Sequence, residues 1–211
     1  MKKKIIGILI CTLLITTILL TNETVIAGSE EDPEITDEED EAQDNFNILS
    51  AWFYEKEEEP DYLYTALKLK NIDTTKTKQH LSVKWEHEGV KCAASLIIGY
   101  DENWWFSYEA GYGHGFWFQE HYQQIEGDLD EETGIITCKI PKNIINNPVK
   151  GDVLTNTRAS TFQRFGFIGN LGFDGWFIHT LIFIITGKSA SDFAPNDGYG
   201  RDYIIQYQGG G

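Results

Sequence analysis

Nine aromatic side chains fall within the 21 positions of "ENWWFSYEAGYGHGFWFQEHY", residues 102–122. Aromatic rings stack on sugars because a pyranose turns C–H bonds toward a π surface, while neighbouring amides and carboxylates take its hydroxyls. Such sites need rigid Trp or Tyr beside Gln, Asn, Asp or Glu, and this stretch supplies both classes. With residues 104–109 and 116–121 as strands joined by the flexible link 110–115, alternation sends Trp104, Phe106, Tyr108, Phe116 and Phe118 toward a core. It sets Trp105 with Ser107 and Glu109, and Trp117 with Gln119 and His121, on polar faces. Trp105, Glu109, Tyr112 at the turn, Trp117, Gln119 and His121 are therefore the candidate ligand-binding residues. A slip of one residue, or a bulge at the glycine-rich link, would exchange the two sets.

Other chemistries find less support. The histidines are His80, His87, His114, His121 and His179; the two spacings of seven put the members of each pair on opposite faces of a strand. Zinc needs three or four converging ligands, so no metal site is expected. Glu109 and Glu120, flanked by tryptophans, could serve as the paired carboxylates of a glycan-active enzyme, but such pairs arise easily in a chain this acidic. Nucleophile elbow, zinc-protease helix and phosphate loop motifs are absent, and no catalytic residue is assigned.

The elements that position these residues begin after an export signal. Lys2, Lys3 and Lys4 precede the uncharged run 5–20, and Ala27 closes a cleavage-like exit, so residues 1–27 read as a secretory signal peptide. Left uncleaved, the segment would anchor the protein in a membrane. Removing it takes away three lysines and Glu23, leaving 14 basic and 32 acidic residues. That balance speaks against nucleic acid and anionic membrane surfaces as partners. Residues 28–45 read as an acidic disordered leader, since 30–44 hold ten carboxylates and no base. Calcium is a weak expectation there, because no glycine turns the chain around an ion. Cys92 and Cys138 survive cleavage, and an oxidising compartment makes a disulfide between them the expectation.

Residues 46–208 read as a single all-β domain. In "DYLYTALKLKNI", Leu63, Thr65, Leu67 and Leu69 share one face; in "HLSVKWEHEGVKCAASLII", Leu81, Val83 and Trp85 oppose Ser82, Lys84 and Glu86, with a turn at Glu88-Gly89. Ile136, Cys138 and Ile140 alternate with Thr137 and Lys139, and one helical turn is expected near 142–145. The apolar run 176–187 is too short for a membrane-spanning helix and reads as a buried strand or short core helix, or else as an exposed apolar loop. Many short strands with turn signals between them imply an antiparallel β-sandwich, jelly-roll or immunoglobulin-like.

The order of "DPEITDEEDEAQDNFNILSAWFYEKEEEPDYLYTALKLKNI" and "GDLDEETGIITCKIPKNIINNPVKGD" resembles the extracellular β-sandwich modules of the DOMON and family-nine carbohydrate-binding superfamily, including secreted archaeal proteins of this layout. The resemblance covers roughly residues 32–152 and is one of pattern, with no diagnostic motif. It implies an exported, non-enzymatic domain that binds sugar or haem, or a structural unit at the cell surface. The Met and His axial pair of DOMON cytochromes is missing, because the only methionine is Met1. No cofactor is expected, haem and calcium being weak alternatives.

The sequence thus points to a secreted or cell-surface, non-catalytic binding module. Its expected partner is an extracellular glycan or cell-envelope component, with a structural or adhesive protein as the alternative and a glycan-active enzyme as the second.

Overall fold

The computed structural model describes residues 28–37, 42–75, 78–99, 103–111, 121–163 and 191–209, with the backbone alone at 121 and 122. Strands arise where apolar and polar residues alternate. They are β1 (Ile35–Thr36), β2 (Ile48–Tyr54), β3 (Tyr62–Leu69), β4 (Gln79–His87), β5 (Val90–Ile98), β6 (Trp104–Gly111), β7 (His121–Asp130), β8 (Ile135–Pro141), β9 (Val153–Gln163), β10 (Ser191–Ala194) and β11 (Tyr203–Ile204). One 3-10 turn, η1 (Lys142–Ile144), follows β8. Among the described residues there is no α-helix, and so none long and apolar enough to cross a membrane. The all-β, antiparallel architecture expected from alternation is the one adopted.

The strands form one curled sheet in the order β1-β2-β3-β8-β7-β6-β5-β4-β9-β10, with β11 beside β9. Strand β7 turns the corner. Residues 121–125 pair with β6, and residues 126–130 pair with β8. Gly127 lies just past this handover, where an added Cβ would come within 2.4 Å of the Phe106 ring. Gly127→Ala is therefore expected to cost about 1–3 kcal/mol through overpacking. Urea denaturation checks this, and an unchanged midpoint would mean that Phe106 does not pack under the corner.

Curling brings the inward faces of the two halves around one core. Phe53, Leu63, Leu67, Ile136 and Ile140 come from one half, and Leu81, Val83, Trp85, Leu96 and Phe106 from the other. Each such side chain contributes about 1.5–3 kcal/mol by leaving water. Phe53 spans the halves, with its ring 5.6 Å from both Trp85 and Tyr203. The ends of the sheet are tied as well. The Asp192 carboxylate accepts the Ile48 N–H at 2.8 Å, and the Thr161 hydroxyl donates to the Phe46 carbonyl at 2.6 Å. The β4–β5 hairpin closes through Glu88 and Gly89 with φ of 49° and 79°, the two left-handed residues of a type I′ turn, where the sequence placed it.

Several expectations need correction. The acidic leader is in part a piece of the sheet: Ile35 is fully buried opposite Ala51, and the Glu34 carboxylate accepts the Phe53 N–H at 2.9 Å. Composition concealed this because only a few residues of the segment dock, and the four positions 38–41 lie outside the described residues. Trp104, assigned to the core, is 46% exposed, because it pairs with Ile98 at the end of the sheet; its ring meets Phe106 edge-on. Cys92 and Cys138 are free, buried thiols and not a bridge. Cys92 sits on β5 with its Sγ 3.2 Å from the Tyr108 hydroxyl, while Cys138 lies between Thr65 and Gly127 on the other half of the sheet. Burial pushes the Cys92 thiol up to about 11 and the Cys138 thiol up to about 12.

Candidate functional site

Four strands present a second face, opposite the core, whose composition is unlike an ordinary solvent face. Leu81, Val83, Ala94, Leu96, Phe106, Tyr108 and Ala159 point inward, so their neighbours in sequence point outward. Register then aligns those neighbours in rows across β9, β4, β5 and β6. The central row is Ser160, Ser82, Ser95 and Ser107. On one side run Phe162, His80, Ile97 and Trp105; on the other run Arg158, Lys84, Ala93 and Glu109. A strip of hydroxyls thus lies between an aromatic edge and a charged edge. It spans about 14 Å at roughly 4.8 Å per strand.

The strip is built inside the protein. All four serines are at most 1% exposed, whereas Trp105, Lys84, Glu109 and Arg158 are half-buried. The Ser82 and Ser160 hydroxyls lie 2.9 Å apart, and His80 Nε2 lies 2.9 Å from the Ser95 hydroxyl. The His80 ring also packs against Phe162 at 4.7 Å. Ser107 breaks the series, since its fully buried hydroxyl has no hydrogen-bond partner among the described residues. Leaving a buried polar group unsatisfied costs about 1–3 kcal/mol. The charged edge is under similar stress. Burial, and then the neighbouring Arg158, push the Lys84 amine down to about 8, with Glu109 pulling the other way. Arg158 lies over the Phe193 ring at 5.4 Å, and its buried Nε has no hydrogen-bond partner among the described residues.

Of the residues singled out from sequence, this face brings together Trp105 and Glu109. Tyr112, Trp117 and Gln119 lie outside the described residues, as do Phe116, Phe118, Glu120 and the stretch 176–187. His121 pairs with Ala110 and Tyr122 with Glu109. Of the strand expected at 116–121, only His121 is described; it opens β7, which runs to Asp130. His80, Ser82, Lys84, Ser95, Arg158 and Ser160 were missed as a group. Alternation shows which way each points, but the lateral pairing of β4 with β9 joins segments more than seventy residues apart.

A second aromatic surface lies on the outer side of the other half, and its groups are engaged with one another. Tyr54 and Tyr64 stack at 4.8 Å, Lys56 lies over Tyr64 at 4.5 Å and Lys139 over Tyr62 at 4.2 Å. Lys139 also pairs with Glu59 at 2.8 Å, and Glu59 in turn accepts the Tyr64 hydroxyl. Ring faces capped by ammonium groups and by other rings are not open for stacking, so this cluster serves packing.

Among the described residues, no three or more His, Cys, Asp or Glu side chains are grouped to hold a metal ion. Comparison with family models, with curated proteins and with solved structures finds no match for this chain.

Proposed function

We propose that the protein is a secreted or cell-surface, non-catalytic binding module, two-layered in the manner of a β-sandwich, whose ligand is a carbohydrate contacted through Trp105 and Glu109. The observation on which this rests is that β6 sets Trp105 and Glu109, a ring and a carboxylate, on one face and leaves both only half-buried. The carboxylate can take sugar hydroxyls and Trp105 offers a ring. Binding is favoured over hydrolysis by the position of the Ser95–His80 pair. It lies mid-sheet, where β5 is paired on both sides and the backbone N–H groups that could steady an oxyanion are committed to the ladders.

The test is binding of the mature chain to a panel of immobilised polysaccharides. Trp105→Ala and Glu109→Gln, each checked for folding by circular dichroism, are expected to weaken retention by about tenfold or more, equivalent to about 1.4 kcal/mol. A folded wild type that retains no polysaccharide would overturn the reading.

One observation favours the alternative of a structural or adhesive protein. Val153 and Ile204 are cross-strand partners, 41% and 58% exposed, with Val149 nearby at 43%. Exposed apolar patches mark protein contacts. A large oligomer on gel filtration, abolished by Ile204→Lys, would support that reading.

A further inference from the structure

Residues 28–37 lie along the edge of the sheet as a strap with few attachments. Their ladder to β2 is two residues long, with Ile35 opposite Ala51 and Thr36 opposite Ser50. Asp37 adds one bond, its N–H donating to the Leu49 carbonyl at 3.3 Å, and Glu30 pairs with Lys68 of β3 at an exposed site. On the other side lies the C-terminal segment. The Arg201 N–H donates to the Glu34 carbonyl at 2.8 Å, and its guanidinium reaches the Asp32 carboxylate at 2.6 Å and the Pro33 carbonyl at 2.8 Å. Gly200 permits this approach, since an added Cβ would lie 2.5 Å from the Glu34 carbonyl oxygen and 2.8 Å from the Ile35 side chain. Strand β2 does not depend on the strap, because β3 pairs with it from Ile48 to Tyr54.

The weak point of the strap is Glu34. Its side chain is buried, with one oxygen taking the Phe53 N–H at 2.9 Å and the other lacking a hydrogen-bond partner among the described residues. An ionised carboxylate there is short of donors, whereas a protonated one has no charge to desolvate. The titratable and charged groups around it are Arg201 from the C-terminal segment, Asp32 from the strap and Tyr203 from β11, whose hydroxyl is bonded to Glu55 at the end of β2. Arg201 favours the ionised form, but its guanidinium is engaged by Asp32, which opposes it.

We propose that the strap is a pH-sensitive latch, which stays docked while Glu34 holds its proton and leaves β2, ahead of any wider unfolding, when Glu34 ionises. Burial raises the Glu34 carboxyl to about 7, against the Phe53 N–H and Arg201 and with Asp32. Release returns it to water and to its usual 4.5. Docking is therefore strongest below about pH 4.5 and weakens as pH rises through 7, by about tenfold between pH 6 and 8. Release bares the edge of β2 from Ser50 to Phe53, while Asp192 still holds the Ile48 N–H at its far end.

The experiment is amide hydrogen exchange of the protein at pH 6 and 8, corrected for the intrinsic pH dependence of exchange. Asp37, Phe53 and Arg201 report on the strap, because their N–H bonds break on release, and β5 and β8 serve as the reference. The three reporters are expected to be less protected than the reference strands and to lose about tenfold in protection from pH 6 to 8. Low urea should leave their exchange unchanged, since little surface opens with the strap. In Glu34→Gln the pH dependence should vanish. Equal protection of the wild-type reporters at the two pH values overturns the latch, whether or not the variant folds. So do reporters that match β5 and β8 in protection and urea dependence, because the strap would then leave only with the whole fold. A tenfold loss that persists in folded Glu34→Gln assigns the proton to another group and overturns it as well.

Discussion

Replacing Lys142 by alanine is expected to remove about 3–5 kcal/mol of stability. The Lys142 and Glu55 side chains are 4% and 0% exposed and meet at 2.5 Å. The pair makes four further hydrogen bonds, all to the C-terminal segment. Glu55 accepts the Tyr203 hydroxyl at 3.1 Å, the Gln206 N–H at 2.6 Å and the Tyr207 N–H at 3.4 Å, while Lys142 donates to the Tyr207 carbonyl at 2.6 Å. Removing one partner strands the other charge in the interior; removing both, in Glu55→Leu with Lys142→Met, should restore much of the loss. Exposed pairs such as Lys56–Glu59 are worth about 0–1 kcal/mol by comparison. Equilibrium urea unfolding separates the cases. A loss in Lys142→Ala no larger than that of an exposed pair, about 1 kcal/mol, would show that the segment is not anchored through this bond.

Glu34→Gln should stabilise the protein at pH 8 and leave it little changed near pH 4. Burial pushes the Glu34 carboxyl up to about 7 from its usual 4.5, even though the Phe53 N–H and Arg201 favour its charged form; the nearby Asp32 opposes them. The folded state therefore holds the proton more tightly than the unfolded state does. The contribution from protonated Glu34 is complete below about pH 4.5 and is lost as pH rises through 7. At about 1.4 kcal/mol per unit, the loss is on the order of 3 kcal/mol. The glutamine carbonyl can still accept the Phe53 N–H, so the variant removes the ionisation and keeps the bond. Denaturation midpoints at pH 4, 6 and 8 should fall for the wild type relative to the variant. Parallel pH profiles for the two proteins would contradict this account of β1.

Alternation made much of the fold legible. The inward faces of β3, β4, β5 and β8 were readable because one side of each strand is consistently aliphatic, and the Glu88-Gly89 turn because glycine marks a left-handed position. What stayed hidden was lateral and long-range. Nothing in "DPEIT" shows that Glu34 and Ile35 dock against β2, since a two-residue edge strand has too few residues to display a period. The disulfide was inferred from compartment alone, and register sets its two cysteines on different halves of the sheet. The candidate site was half legible. Trp105 and Glu109 follow from the parity of β6, but the serine strip exists only because β9 pairs with β4, a neighbour relation that no local pattern encodes.

The central claim is that carbohydrate is bound through Trp105 and Glu109 on β6. Backbone amide chemical shifts of the mature chain, recorded as soluble oligosaccharides from the polysaccharide panel are added, test it most directly. The account predicts saturable changes concentrated at Trp105–Glu109 and at their register partners Ala93–Ile97, weakened in Trp105→Ala. Shifts confined to the Tyr54–Tyr64 face or to the Val153–Ile204 patch, or no shifts at any concentration, would contradict it.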